Sequence, residues 1–363
     1  MLVTFLLEEL SRLRSNFLAG VNSIVISPRR WGKSSLVEKA ARKVGDENGK
    51  IKLVFIDLFN IRTEEDFYRV LAEQTIKTTT TKVGEVLSVA KTFFNQWIPR
   101  VTFSPDHLQE FSLGLNWSDV AKDPDEMLDL PQRIAASKGY KLIICIDEFQ
   151  NIGFYPDPLG FQKRLRSHWQ RQQDVSYCLY GSKRHMLLQV FTLPSNPFYK
   201  FGDLMFLDKI HTDEWEKFII QRFRTTGKKI MPDLACQIAQ SVENHPYYVQ
   251  QLSQLCWLRS PSDMTSEILD QALESLILQL SLLFQNLTEE LSTSQVNYLR
   301  ALINNEKRLS SKEVILRYQL GTSANVARIK QALINKEIID QIGQQPDILD
   351  PVYKLWLRRY YFI

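Results

Sequence analysis

Apolar residues fall along this chain in two rhythms. Short continuous runs rich in Ile, Val and Leu stand at residues 23–26, 52–57, 141–148, 175–182 and 203–207, the last at the centre of a longer stretch, 201–210. Around them, at 4–16 and 34–44, apolar positions recur at helical spacing, and helices are also expected over 63–77 behind the capping sequence Thr63-Glu64-Glu65-Asp66, over 123–139 from Asp123-Pro124-Asp125-Glu126, and, as a polar helix, over 160–172. The first pattern predicts strands buried on both faces and the second predicts amphipathic helices. Their alternation predicts an α/β domain built on a parallel sheet. One more helix is expected over 83–97, and residues 100–104 and 110–115 alternate around Pro105-Asp106, which predicts a β-hairpin inserted at about 100–115.

Beyond residue 208 the strand-like runs stop. Helical spacing at 215–224, 232–242, 246–258 and 266–287 predicts a bundle the size of a lid. Three further helices, 289–303, 310–318 and 322–335, precede two short strands, 337–340 and 347–350, around the tip Gly343-Gln344-Gln345-Pro346. That order predicts a winged helix. The expected division is a core over 1–208, a helical lid over 209–287 and a winged helix over 288–363.

Composition narrows the class. With 363 residues, 44% hydrophobic and 24% charged, the chain has the make-up of a globular protein of two or three domains. Its net charge of +4 is too small to argue for nucleic acid by itself. The longest apolar stretch, around 276–284, is interrupted by Gln279 and Ser281, so no membrane span is expected. Glu8 and Glu9 follow the apolar start at once, which does not suit a signal peptide. Cys145, Cys178, Cys236 and Cys256 are scattered and suggest neither a disulfide framework nor a zinc site, and a cytoplasmic location is expected.

The chemistry begins where the first strand ends. Ser27-Pro28-Arg29-Arg30-Trp31-Gly32-Lys33-Ser34-Ser35 joins a strand to a helix and matches the P-loop pattern G-x-x-x-x-G-K-[ST] except for Ser27 at the first glycine. Such a loop gathers backbone N–H groups and the positive end of a helix dipole around a phosphate. Lys33 is expected to reach the β- and γ-phosphates and the Ser34 hydroxyl to ligate magnesium. The third predicted strand ends in Asp147-Glu148. After a P-loop, Asp147 is expected to hold the metal and Glu148 to act as the base for an attacking water, since a kinase would not need the second acid. Ser182, ending the next strand ahead of Lys183 and Arg184, is expected to sense the γ-phosphate. Asp57 ends another strand at the same edge, and one of Arg164, Arg166 and Arg171 could serve as a finger on a neighbouring protomer.

Taken with Ile146-Asp147-Glu148-Phe149-Gln150, Tyr180-Gly181-Ser182, His245-Pro246-Tyr247-Tyr248 and the ending from Asp350-Pro351 to Trp356-Leu357-Arg358, the loop gives the chain a recognisable character. It resembles the archaeal-type ATPases of prokaryotes, in the STAND and initiator-like branch of AAA+ P-loop proteins. The resemblance implies a five-stranded parallel sheet, a helical lid, a C-terminal winged helix, and ATP with Mg2+ bound by residues 28–35: Pro28, Arg29, Arg30, Trp31, Gly32, Lys33, Ser34 and Ser35. It implies a slow ATPase acting as a conformational switch, with catalytic roles for Lys33, Glu148 and Ser182, metal ligation by Ser34 and Asp147, and a possible homo-oligomer. The chain departs from the family pattern in showing no Gly-Arg-type adenine segment ahead of its first helix and in carrying His245-Pro246 where related proteins have Gly-x-Pro or a sensor arginine. A second reading is a DNA-binding winged-helix protein with a regulatory or inactive nucleotide domain, using Arg328, Lys330 and Lys336 with Lys354, Arg358 and Arg359. The winged helix could equally dock a protein.

Overall fold

Two strands, β5 (Lys141–Asp147) and β6 (Val175–Gly181), set the centre of the first sheet. The second is buried throughout and the first from Leu142 to Ile146, and a strand with no solvent face needs neighbours on both sides and helices above and below. Their neighbours are β1 (Ser23–Ile26), β2 (Ile51–Asp57) and β7 (Asp203–Phe206), in the order β2-β5-β6-β1-β7, every pair parallel. In a parallel sheet all strands end at one edge, so Ile26, Asp57, Asp147 and Gly181 come to the same side. The computed structural model describes residues 6–80, 100–103, 111–114, 124–341 and 345–362. The chain divides into two compact units, Met1–Asp208 and Lys209–Ile363.

In the first unit the sheet is accompanied by α1 (Leu7–Ala19), α2 (Lys33–Glu47), α3 (Glu64–Thr79), α4 (Pro124–Lys138), α5 (Pro158–Trp169) and α6 (Arg184–Thr192). Local chemistry sets several of their ends. The Thr63 hydroxyl caps α3 by accepting from the Asp66 N–H, with Glu64, Glu65 and Asp66 at the positive end of its dipole. The core is aromatic on one face. Trp169 stacks on Tyr177 with ring centroids 3.9 Å apart, and Phe149, Phe198 and Phe201 pack around them. Each such ring removes roughly 150–250 Å2 from water, which fixes the turn after β5 firmly to the sheet.

The strand expected over 201–210 pairs only over Asp203–Phe206, because it lies at the sheet's edge, where Phe206 is largely exposed. Arg12 and Asn16 of α1 bind the Asp203 carboxylate and hold that edge in place. The hairpin is present as β3 (Arg100–Phe103) and β4 (Phe111–Gly114), antiparallel. The helix expected over 83–97 lies outside the described residues. Helix α6 and a tight helical turn at Phe149–Phe154 were not expected; both are too short to show a repeating apolar period.

The second unit contains α7 (Thr212–Thr225), α8 (Pro232–Ser241), α9 (Pro246–Arg259), α10 (Ser266–Glu289), α11 (Thr293–Ile303), α12 (Lys312–Arg317), α13 (Ser323–Asn335), the antiparallel pair β8 (Ile339–Gln341) and β9 (Pro346–Ile348), and α14 (Pro351–Trp356). Helix α11 begins later than its apolar pattern suggests. Ser292 and Gln295 form a capping box there, and α10 runs on to Glu289. The closing motif has a structural explanation. Asp350 caps α14 through the N–H groups of Val352 and Tyr353, and its other oxygen accepts from the Tyr248 hydroxyl at 2.5 Å. Tyr353 shares a hydrogen bond with Thr288 at 2.8 Å and Trp356 donates to Ser281 at 2.7 Å. These contacts tie the chain's end to α9 and α10, so the bundle and the winged-helix segment form one body.

Candidate functional site

The loop between β1 and α2 is held in an unusual backbone conformation. Arg30 has φ +63° and Gly32 has φ +90°, and Gly32 serves as the N-cap of α2. Glycine reaches that region without penalty, whereas arginine does so only when its surroundings hold it there. Ser27 is buried and is not among the described residues with positive φ. The missing first glycine therefore puts no strain on this loop. Lys33 begins α2, where the first N–H groups of any helix have no partner within it and point outward together with the dipole.

Three strand ends bring the remaining groups to this point. The Ser34 hydroxyl donates to Asp147 Oδ2 at 2.8 Å, across 113 residues of sequence. Lys33, 7% exposed, places Nζ 3.9 Å from Glu148 Oε1. Ser182 donates to Glu148 Oε2 at 3.1 Å and itself accepts from Arg29 Nε at 3.3 Å. Thus Lys33, Ser34, Asp147, Glu148, Ser182 and Arg29 form one connected group. Of the other loop residues, Trp31 is buried, Pro28 is half-buried, and Arg30 and Ser35 are exposed.

The two acids are in different environments. Asp147 accepts from Ser34 and from the Glu148 N–H at 2.8 Å. Burial nevertheless raises its pKa above the ordinary value; attraction to Lys33 and those two hydrogen bonds offset part of the rise. Glu148, just past the end of β5, has φ +52°, a left-handed backbone conformation. It also borders an open pocket of about 210 Å3 lined by Arg29, Phe59, Arg62, Asn151 and Lys183 among others.

Several expected residues lie apart from this group in their contacts. Arg164 binds Glu64 and Tyr68, both at 3.1 Å; Arg166 lies over the Phe201 ring; and Arg171 donates to the Ser167 carbonyl. Asp57 accepts from the Phe59 N–H at 2.8 Å and so shapes its own turn. His245 is the N-cap residue of α9 in the second unit. Gln150 is a residue the motif reading gave no role. It is 1% exposed and its amide nitrogen donates to Glu148 Oε2. The only trace of this in the sequence is a glutamine two residues beyond a strand-ending acid.

The donor set fits a magnesium–nucleotide complex. Ser34 Oγ and Asp147 Oδ2 are hard oxygen ligands already side by side, and magnesium takes one or two protein oxygens along with phosphate and water. Among the described residues no cluster of three or more His, Cys, Asp or Glu could hold a metal by itself. No helix among them is long and apolar enough to cross a membrane.

Residues 282–359 match a family model described as a probable winged helix domain. No curated protein matches the chain. Among solved structures, a Walker-type ATPase of Pyrococcus abyssi superposes with a TM-score of 0.65 at 17% identity, covering 97% of this chain and 95% of that one. The ADP form of the ORC2 protein of Aeropyrum pernix superposes at 0.52 and 14% identity, covering 92% and 85%. At these identities the likeness concerns the fold: a five-stranded parallel sheet flanked by helices, followed by helices and a C-terminal winged-helix domain.

Proposed function

We propose that this protein binds ATP with Mg2+ at the strand ends of its first unit and hydrolyses it slowly to ADP and phosphate, as a nucleotide-driven switch of the STAND and initiator-like kind. The observation that carries the reading is the meeting of Ser34 with Asp147 and of Lys33 with Glu148. A helix-opening Lys-Ser pair facing a strand-ending Asp-Glu pair, one contact a hydrogen bond and the other an ion pair, suits a phosphate-and-metal site with a base beside it.

In this reading the N–H groups of residues 28–35 and the Lys33 ammonium hold the β- and γ-phosphates. Ser34 and Asp147 hold the magnesium ion, which supplies charge neutralisation at the phosphates. Glu148 takes a proton from a water reaching it through the pocket at its side, and that water's oxygen bonds to the γ-phosphorus as the bond to the bridging oxygen breaks, giving inorganic phosphate and ADP. Ser182, already bonded to Glu148 and Arg29, exchanges those partners for a γ-phosphate oxygen and so reports its presence. The proposed division of labour assigns 1–208 to nucleotide binding, 209–287 to a helical lid and 288–363 to a winged-helix output element.

Phosphate release from Mg·ATP tests this. Lys33→Ala should lose binding and turnover, and Glu148→Gln should keep binding and lose turnover by at least ~100-fold. Wild-type protein that binds ATP without releasing phosphate would refute the hydrolysis. A second reading, DNA binding by the winged-helix segment, is favoured by the family match over 282–359 and by the exposed Arg328 on α13.

A further inference from the structure

Gln150 is a polar side chain in a place that does not suit one. Its Nε2 donates to Glu148 Oε2, but its Oε1 is buried and has no hydrogen-bond partner. An orphaned buried acceptor is a stability cost that an apolar side chain of the same shape would avoid. The amide oxygen faces the bare Cα of Gly181: a Cβ built there would come within 1.9 Å of Oε1. Gly181 does not need to be glycine for its backbone, since it is not among the described glycines with positive φ. It ends β6, in register with Ile26 at the root of the phosphate loop, and precedes Ser182.

We propose that Gln150 is the positioning residue of the candidate base: lodged in the gap left by the missing side chain of Gly181, it holds the Glu148 carboxylate in its working orientation. The inference rests on the hydrolytic reading above and adds to it the residues that aim the base. Glu148 Oε2 takes two donors, Gln150 Nε2 and Ser182 Oγ, while Oε1 remains toward Lys33 and the open side. Once Ser182 turns to the γ-phosphate, the Gln150 bond is the one left on Oε2 to hold the carboxylate, with the other oxygen left to meet water. Gly181 acts one step further back, because any side chain there drives the amide out. The orphaned oxygen is then the consequence of delivering an N–H donor to a site with room for no second polar partner.

The test uses the full chain with Gln150→Met, Gly181→Ala, Gln150→Ala and the double variant Gly181→Ala/Gln150→Ala. Each is measured for kcat, for affinity toward a slowly hydrolysed ATP analogue by calorimetry, and for melting temperature. Gln150→Met should lower kcat on the order of 10–100-fold, leave nucleotide affinity within about twofold, and melt no lower than wild type because the orphaned acceptor is gone. Gly181→Ala should lose turnover similarly. In the double variant the alanine at 181 should add no further loss to that of Gln150→Ala, since the atom it collides with is absent. Wild-type kcat in Gln150→Met overturns the proposal, as does a double variant whose losses multiply. Weakened nucleotide affinity together with a lowered melting temperature would show a packing role and also overturn it. A wild-type chain without turnover fails at the earlier step and takes both readings down; the other results leave hydrolysis standing.

Discussion

Lys33 lies between two carboxylates in a nearly dry setting, and the nucleotide-free protein should depend on it for stability as well as for ligand binding. Its Nζ is 3.9 Å from Glu148 Oε1, with side-chain exposures of 9% and 20%. At that distance and an effective dielectric near 20 the attraction is about 4 kcal/mol. Burying the ammonium offsets part of this, so Lys33→Met, which keeps the volume, should cost roughly 1–3 kcal/mol. For a unit of this size that lowers the melting temperature by roughly 3–10 °C. The sign with pH follows from Asp147. Burial holds its pKa above the ordinary value, so its ionisation opposes folding, and the stability present below the unfolded-state pKa is lost as pH rises through the folded one. Lys33 reduces that loss. The deficit of Lys33→Met should therefore be largest at neutral pH and shrink as acid protonates Asp147. Calorimetric melting of nucleotide-free protein at pH about 7.5 and about 4 measures it, the acid end being set by the ordinary carboxylate range, above which burial holds Asp147. A variant as stable as wild type at neutral pH, or a deficit that does not narrow in acid, would refute the reasoning.

Two further outcomes are expected. Asp147→Asn relieves the burial of a charge, so the nucleotide-free variant should melt at or above wild type at neutral pH. Wild type should gain about 2.7 kcal/mol at one hundred times the dissociation constant of Mg·ATP, and the variant should respond identically to ATP with and without magnesium, as a thermal-shift titration would read. If α13 meets DNA, a duplex should shift in a native gel at low salt. Arg328→Ala/Lys330→Ala should weaken that shift and flatten its dependence on salt, and no shift at low salt excludes the second reading.

The regular elements were legible because their causes are local. Buried runs such as 142–146 and the Thr63 cap identify themselves within a few residues. Some of the short pieces were not, although α12, β8 and β9 were expected. The turn at Phe149–Phe154, α6 and α14 depend on aromatic packing and on Asp350 accepting from Tyr248, whose partners lie far along the chain. At the candidate site, Lys33, Ser34, Asp147 and Glu148 were singled out because the proposed phosphate and metal chemistry demands those residue types in a fixed strand–loop–helix setting, and the structure brings them together. Gln150 was not, since its significance lies in a contact with Glu148 and a gap at Gly181 that only the fold creates. The arginines at 164, 166 and 171 show the converse. Their charge invited a role in catalysis, and within this chain they serve a Glu64–Tyr68 pair, an aromatic ring and a helix carbonyl.

The strand order explains why the site is wired through Ser182. Chain order would place the phosphate loop after β1 next to β2, yet the sheet inserts β6 between β1 and β5. The loop and the paired acids therefore face each other across the end of a third strand. A side chain at that end can touch both, as Ser182 does through Arg29 on one side and Glu148 on the other. The same insertion puts Gly181 under Gln150. One strand thus carries both the Ser182 that links Glu148 to the loop and the gap at Gly181 that receives Gln150. On the proposed function, sensing of the phosphate and orientation of the candidate base would both depend on where a single strand ends.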